Sequence, residues 1–149
     1  MWYRASSGLS PAHLPDHAMP HTARGTFTVT LQPLPFEGQP EGSPLGRRSI
    51  DKQITGDLVA TTRGQMLSAV GTVKGSAGYV AIEQVDGTLD GRAGTFVLQH
   101  TGTMDRGTPS LRVSVVPDSG TGALTGLTGE FAIIIAGGVH SYEFAYELP

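Results

Sequence analysis

The sequence contains no cysteine, and this absence excludes several chemistries at once. Disulfides, thiolate nucleophiles, thiolate zinc sites and iron–sulfur clusters all require that side chain. Charged residues are also scarce at 15%, and the hydrophobic fraction is 38%, whereas glycine with 21 residues and proline with 10 are abundant. This composition favours short strands joined by many turns over a helical fold.

Basic clusters and long apolar runs are missing as well. The net charge is −3, and the longest basic run is the pair Arg47 and Arg48. We therefore expect no nucleic-acid partner. Prolines interrupt the only apolar part of the N-terminal region, residues 9–23, so the pattern predicts neither a signal peptide nor a membrane span. The expected location is the cytoplasm, without a membrane partner.

A change of pattern at Gly25 marks the predicted domain boundary. Residues 1–24 lack periodicity and predict a disordered tail, with Met19 as an alternative start of the chain. From Gly25 onward apolar and polar residues alternate, as in Phe27, Val29 and Leu31 against the threonines between them. Residues 25–149 are therefore predicted to form one β domain.

The alternation continues to the end of the chain and predicts eight strands. They are expected near residues 25–33, 47–58, 60–73, 76–89, 94–104, 109–117, 129–136 and 139–148. The pattern G-x-L-x-G-x-x-G-x-F occurs at residues 87–96 and again at 122–131, with glycines where tight turns need them. Eight such strands predict an all-β, antiparallel closed barrel. A two-sheet sandwich is the structural alternative.

Three segments carry a resemblance to a known family. They are KGSAGYVAIE at residues 74–83, GTFVLQHTGTM at 94–104 and VVPDSGTG at 115–122. Across residues 25–148 the chain resembles the bacterial domain-of-unknown-function family 3224, a family of allene-oxide-cyclase-like β-barrels. The resemblance implies an eight-stranded antiparallel barrel with a central cavity, in a superfamily whose plant members cyclise an unsaturated fatty-acid epoxide. No plant cyclase motif is matched here, so no catalytic residue is carried over.

Three polar residues interrupt apolar strand faces and are the candidate catalytic groups. Lys52 lies between Ile50 and Ile54, while Glu83 and His100 are in phase with apolar residues of their own strands. In a closed barrel these faces meet, and buried charges then need each other or a ligand. The alternative is a satisfied internal ion pair or a position at the rim of the barrel.

Aromatic and polar residues of three strands are the candidate ligand-binding groups. The last strand presents His140, Tyr142, Phe144 and Tyr146 on one face, which suits an apolar or aromatic ligand. The predicted ligand-binding set comprises Tyr79, Phe96, Gln99, Met104, His140, Tyr142, Phe144 and Tyr146. The alternative is that these aromatic side chains only fill the core.

Other patterns that invite a functional interpretation are weak. Prolines prevent the helix that would align His13, His17 and His21 on a metal, so no metal and no cofactor are expected. The segment 118–122 lacks phosphate-loop spacing and predicts a turn. Ser76 and Ser119 lie outside any nucleophile-elbow motif.

The sequence leaves three functions open. In the first, the barrel binds a small, largely apolar molecule and acts on it as an isomerase or cyclase. In the second, it carries or senses such a molecule without chemistry. In the third, it is a structural protein with a filled core. The runs Val115–Val116 and Ile133–Ile135 are apolar on both strand faces, so the outside there needs a cover. Either the loop near residues 33–46 or a second subunit supplies it, and we predict a homo-oligomer.

Overall fold

The computed structural model describes residues 20–149, which form eight β-strands and one 3-10 helix, Gly122–Leu124. The strands are β1 (His21–Leu34), β2 (Leu45–Gly56), β3 (Leu58–Val70), β4 (Ala77–Leu89), β5 (Arg92–Asp105), β6 (Thr108–Val115), β7 (Thr128–Ala136) and β8 (Val139–Glu147). Within this described part, no helix is long and apolar enough to cross a membrane.

The strands close into a barrel in sequence order. Each strand pairs antiparallel with the next, and β8 pairs with β1, for example at Phe27 and His140. The predicted eight-stranded antiparallel barrel is therefore confirmed, and the two-sheet sandwich is excluded. Closure gives every strand a partner on both sides, so no whole strand is left as a free edge that a sheet with so few charged residues would have to protect.

The first strand starts earlier than the sequence predicts. β1 begins at His21, four residues before the expected boundary at Gly25, because residues 21–24 pair with residues 143–146 of β8. The pairing partner lies at the other end of the chain, so local periodicity could not reveal it. The remaining tail, including Met19, lies outside the described residues.

The two ends of the barrel differ in how they are filled. The end with the β2–β3, β4–β5 and β6–β7 connections is called the closed end, and the opposite end is called the open end. Aromatic side chains stack toward the closed end, with ring centroids 4.9 Å apart for Phe131 and Tyr142 and 5.7 Å for Phe96 and Phe144. The buried core comprises Ala23, Phe27, Ile54, Leu58, Ala60, Val85, Leu89, Phe96, Leu98, Val113, Val115, Leu124, Leu127, Phe131, Tyr142, Phe144 and Tyr146.

The long β6–β7 connection plugs the closed end. Its Leu124 and Leu127 are fully buried, and the Val97 amide donates a hydrogen bond to the Ser119 hydroxyl at 3.0 Å. The turn that the sequence predicts at 118–122 lies at Pro117 and Asp118, with Asp118 at a φ of 60°, and the 3-10 helix begins at Gly122. The loop continues the pairing with β5 beyond the end of β6, because the Val116 and Thr121 amides donate to the carbonyls of Val97 and Thr95 at 2.9 and 2.8 Å. β6 and β7 pair at Ser114 and Glu130.

The outer face of β7 remains uncovered. Ile134 is 42% exposed, whereas Ile133 packs against the core. The β1–β2 loop is held on the other side of the molecule, where Arg47 donates a hydrogen bond to the Pro35 carbonyl at 3.0 Å. The loop is therefore not the cover of β7, and the homo-oligomer remains a prediction.

Tyr142 ties three strands together at the closed end. Its hydroxyl donates to the Thr55 carbonyl at 2.8 Å and accepts from the Leu58 amide at 3.1 Å. Thr55 and Leu58 flank the β2–β3 turn, and β8 forms no ladder with either strand. Burial, partly offset by the hydrogen bond with Leu58, raises the pKa of Tyr142, so the hydroxyl keeps its proton.

We predict that Tyr142→Phe destabilises the barrel by about 1–3 kcal/mol, because the buried Leu58 amide loses its partner. Denaturant unfolding of wild type and variant measures the difference. Thr28→Val, on an exposed outer face, is the control and should change the free energy of unfolding by less than about 0.5 kcal/mol. Equal stability of Tyr142→Phe and wild type would show that this hydroxyl is not a structural tie.

Candidate functional site at the open end

Four polar side chains meet inside the barrel, just above the aromatic core. Lys52, Thr62, Glu83 and His100 are each at most 7% exposed, and each comes from a different strand, β2 to β5. Strand alternation points all four inward. Lys52 and Thr62 lie directly opposite each other in the β2–β3 ladder. Glu83 and His100 meet the others diagonally, because Glu83 lies opposite Gly64 and His100 opposite Ala81.

The Glu83 carboxylate is the centre of this polar cluster. Its Oε1 accepts hydrogen bonds from Lys52 Nζ at 3.0 Å and from His100 Nε2 at 2.8 Å. Its Oε2 accepts from the Thr62 hydroxyl at 2.6 Å, and this hydroxyl in turn accepts from the Lys52 amide at 3.1 Å. Lys52, Thr62 and His100 thus all donate hydrogen bonds to the carboxylate of Glu83, the fourth member of the polar cluster.

These donors keep Glu83 ionised despite complete burial. Burial, the largest single influence, would raise its pKa. The hydrogen bond from His100, the charge of Lys52 and the hydrogen bond from Thr62 together outweigh it and lower the pKa of Glu83 to about 2. Because an ionised carboxylate only accepts, His100 Nε2 must carry a proton.

The ammonium group of Lys52 has aromatic neighbours as well as its carboxylate partner. Its Nζ lies 4.9 Å from the centre of the Phe27 ring and 5.8 Å from that of Phe131. The negative faces of the rings favour a cation there. Among the residues that the structure describes, no buried side-chain nitrogen or oxygen lacks a hydrogen-bond partner.

Tyr79 connects the polar cluster to the open end. Its hydroxyl lies 3.3 Å from His100 Nδ1, the ring nitrogen that does not face Glu83. The ring lies against Gly102, where an added Cβ would be only 2.4 Å from Tyr79 Cε1. Glycine at 102 therefore leaves room for the ring in this position. Burial, and secondarily the charge of Glu83, raises the pKa of Tyr79, so the phenol stays protonated at neutral pH.

Above Tyr79 the barrel opens into a cavity of about 430 Å³, which we call the mouth pocket. Its wall is mostly apolar, and several side chains that strand alternation points inward stay exposed there, among them Val70 at 65%, Leu111 at 45% and Met104 at 40%. The lining residues are Arg48, Met66, Ser68, Ala69, Val70, Ala77, Gly78, Tyr79, Gly102, Thr103, Met104, Pro109, Ser110 and Leu111.

The structure brings the three predicted catalytic residues together but separates the predicted ligand-binding residues. Tyr79 and Met104 line the mouth pocket. Gln99 lies on the outer face, because it has the opposite alternation from His100. His140 is half-buried beside Phe27, with ring centroids 5.3 Å apart, and borders a separate surface groove.

The remaining four predicted ligand-binding residues are part of the packed core. They are Phe96, Tyr142, Phe144 and Tyr146, all at most 5% exposed. Tyr146 also donates a hydrogen bond to the Asp90 carboxylate. Burial, together with that bond, raises the pKa of Tyr146 to about 12. For these four residues the structure agrees with the alternative of core filling.

Sequence reasoning missed several residues of the site. Thr62 is in phase with the buried Leu58 and Ala60, and continuing the same alternation along β3 leads to Met66 and Ser68 in the mouth pocket. Arg48 and Leu111 likewise continue the inward phases of β2 and β6. Strand alternation was therefore a sufficient signal for all of them.

The other candidate groups have structural roles or lie elsewhere. The Ser76 hydroxyl accepts a hydrogen bond from the Arg106 amide at 3.1 Å, which links two loops of the open end. Over residues 20–149, no group of three or more histidine, aspartate or glutamate side chains is arranged to hold a metal ion. His21 belongs to β1, whereas His13 and His17 lie outside the described residues.

Fold and site together define a small antiparallel β-barrel with a buried Lys–Glu–His cluster below an open, mostly apolar pocket. The model of the DUF3224 family, described as proteins of unknown function, matches residues 23–146, and the chain belongs to this family.

A solved structure and the curated proteins complete the comparison. The crystal structure of a DUF3224 protein of unknown function from Shewanella oneidensis MR-1 is 50% identical, with a TM-score of 0.83. The match covers 87% of this chain and 98% of that chain. No curated protein matches the sequence.

We predict that acid weakens the barrel through Glu83. The pKa of Glu83 is about 2 in the folded protein and 4.5 for the ordinary side chain, so its contribution is complete above pH 4.5. It is lost as the pH falls from 4.5 to 2, and amounts to about 3 kcal/mol. Unfolding free energies measured across this range should fall in wild type and stay flatter in Glu83→Gln.

Glu83→Gln also leaves Lys52 buried without its charged partner, which should cost about 3–5 kcal/mol at pH 7. The double variant Lys52→Met/Glu83→Gln removes both charges and should recover part of that loss. If the wild-type acid slope persists in Glu83→Gln, carboxylates other than Glu83 cause it.

Proposed function

We propose that the protein binds a small, largely apolar molecule in the mouth pocket. The observation that carries this proposal is the set of inward-facing apolar side chains at the open end that the chain itself leaves exposed. A ligand that covers them gains about 25 cal/mol for each Å² of apolar surface removed from water. A cavity of about 430 Å³ is within the usual size range of small-molecule sites.

The contrast between the two barrel ends supports binding over a purely structural role. At the closed end, loop residues Leu124 and Leu127 are buried and cover the aromatic core. At the open end, no comparable side chain of the described residues fills the space above Tyr79, although Met66 and Leu111 are close enough to line it. A structural protein with a filled core is expected to fill both ends of its barrel.

A proton-transfer activity of the isomerase or cyclase type is a second candidate. It is favoured by the hydrogen-bonded chain from the Tyr79 hydroxyl in the pocket through His100 to the Glu83 carboxylate. Such a chain holds an imidazole in one orientation and tautomer, as acid–base catalysis requires. A carrier or sensor without chemistry needs only the pocket.

We predict that the neutral fluorescent probe N-phenyl-1-naphthylamine binds in the mouth pocket and gains fluorescence. Ser68→Phe, which projects a ring into the pocket, should weaken probe binding at least tenfold. Leu67→Phe is the matched control, because the neighbouring residue on β3 points outward and is 45% exposed. Fluorescence titration of the three proteins measures the effect. Equal binding by all three would place the probe outside the pocket and contradict the proposal.

Native mass spectrometry of the protein purified from its own host then separates the carrier from the enzyme. A retained apolar adduct, lost in Ser68→Phe, is expected for a carrier. An enzyme with a weakly held substrate is expected to give the bare chain mass and to convert an added molecule that displaces the probe from the mouth pocket.

The predicted homo-oligomer is tested by light scattering. We expect a mass that is a multiple of the 15.6 kDa subunit at micromolar concentration. Ile134→Lys, on the exposed face of β7, should shift the mass toward the monomer. A wild-type monomer would rule the prediction out.

A further inference from the structure

The mouth pocket offers hydrogen-bond donors but no acidic group. The polar side chains that strand alternation points into it are those of Arg48, Ser68 and Tyr79, and the described lining contains neither aspartate nor glutamate. A guanidinium group only donates, and hydroxyl groups donate or accept. The polar end of a ligand in this pocket therefore finds its best partners if it is an acceptor.

The Tyr79 hydroxyl has a single proton, and two acceptors compete for it. Without a ligand, the hydroxyl donates to His100 Nδ1 when the imidazole is neutral, because Nε2 already carries the proton shared with Glu83. If the hydroxyl instead donates to a ligand oxygen, Nδ1 is left buried without a partner. Leaving a buried polar atom unpaired costs free energy.

A second proton on His100 solves this conflict. With Nδ1 protonated, the imidazolium donates to the Tyr79 oxygen through Nδ1 and to Glu83 through Nε2, while Tyr79 donates to the ligand. The proton comes from solvent, and no covalent bond other than N–H forms. His100 is only 3% exposed, so its charge then depends on the ionised Glu83 for compensation.

We propose that the mouth pocket selects ligands whose apolar body carries an sp2 oxygen acceptor, and that binding at Tyr79 loads one proton onto His100. This inference rests on the proposed binding in the mouth pocket and adds the ligand class and its coupling to pH. An alcohol, by contrast, donates its own proton to the Tyr79 oxygen and leaves His100 neutral.

The charged groups around His100 are compatible with this uptake. Glu83 on the neighbouring strand β4 faces Nε2, and Tyr79 of the same strand faces Nδ1. From β2, Lys52 shares the Glu83 oxygen, and Arg48 lines the pocket above. From β6, the residue opposite His100 is the apolar Val113. Among the described residues, Glu83 is the one buried carboxylate, and it therefore compensates the charges of both Lys52 and a protonated His100.

The test uses three naphthalene probes with the same apolar body: 2-acetylnaphthalene, 2-naphthoate and 2-naphthalenemethanol. Their affinities are measured by fluorescence titration from pH 6 to pH 9, and proton uptake is measured by calorimetry in two buffers of different ionisation enthalpy. Histidine changes its charge within or near this range. The ketone and the carboxylate should lose up to tenfold in affinity for each pH unit at the alkaline end, with uptake approaching one proton. The alcohol should show neither effect.

Variants assign these effects to the named groups. Tyr79→Phe should remove the pH dependence and the proton uptake for the ketone while the alcohol still binds. Gly102→Ala keeps the phenol but displaces its ring from His100, so it should also abolish the uptake. Arg48→Gln should weaken the carboxylate alone and so separate an anionic ligand from a neutral carbonyl ligand. Gln99→Ala, on the outer face of β5, should change nothing.

Outcomes that overturn the two proposals differ. Equal pH profiles for ketone and alcohol, or a ketone profile that survives in Tyr79→Phe, overturn the inference and leave the binding pocket in place. Failure of all three probes, together with failure of the neutral amine probe, overturns the proposed function and this inference with it.

Discussion

The ionised carboxylate of Glu83 is the interaction on which the interior of this barrel depends. It lies at the level where the packed aromatic core ends and the mouth pocket begins, and it accepts hydrogen bonds from Lys52, Thr62 and His100. Each donor comes from a different strand, so the cluster also cross-links β2, β3, β4 and β5. A buried charge of this kind is tolerated only when its partners are all present and well placed.

Two glycines make this arrangement possible. Gly64 lies opposite Glu83, and a Cβ there would be 2.1 Å from the Ile82 carbonyl oxygen. β3 and β4 approach each other closely at this point because position 64 has no side chain. Gly102 gives the same freedom to the ring of Tyr79 one strand further along. The two glycines thus allow the close approach of the strands beside Glu83 and the position of the Tyr79 ring, which links the buried charge to the pocket.

The two ends of the barrel differ in structure, and the proposed binding site lies at the open end. The closed end is held by the buried loop residues and by the tyrosine hydroxyls of β8, which bond to the turns after β2 and β4. At the open end, no loop of the described residues fills the interior in this way, and apolar side chains stay uncovered. The 50% identical protein from the same family spans nearly the whole of its own length in the match, with a TM-score of 0.83, so the two chains share the barrel fold.

Strand alternation determined much of this protein from the sequence alone. The eight strands, the inward direction of Lys52, Glu83 and His100, and the turn at Asp118 all follow from local patterns. Period-two alternation is a property of each strand by itself, because successive side chains point to opposite faces whatever the partner strand. Gln99 was misassigned where that rule was not applied.

Only the tertiary structure decided how deep each inward residue lies. Phe96 and Met104 share one face of β5, yet Phe96 is buried in the core and Met104 borders the pocket. Their depths depend on the register of all eight strands and on which end the β6–β7 loop fills. Both are set by contacts between residues far apart in the chain, such as Tyr142 with Leu58. No local pattern contains that information, so the pocket could be located only from the three-dimensional structure of the closed barrel.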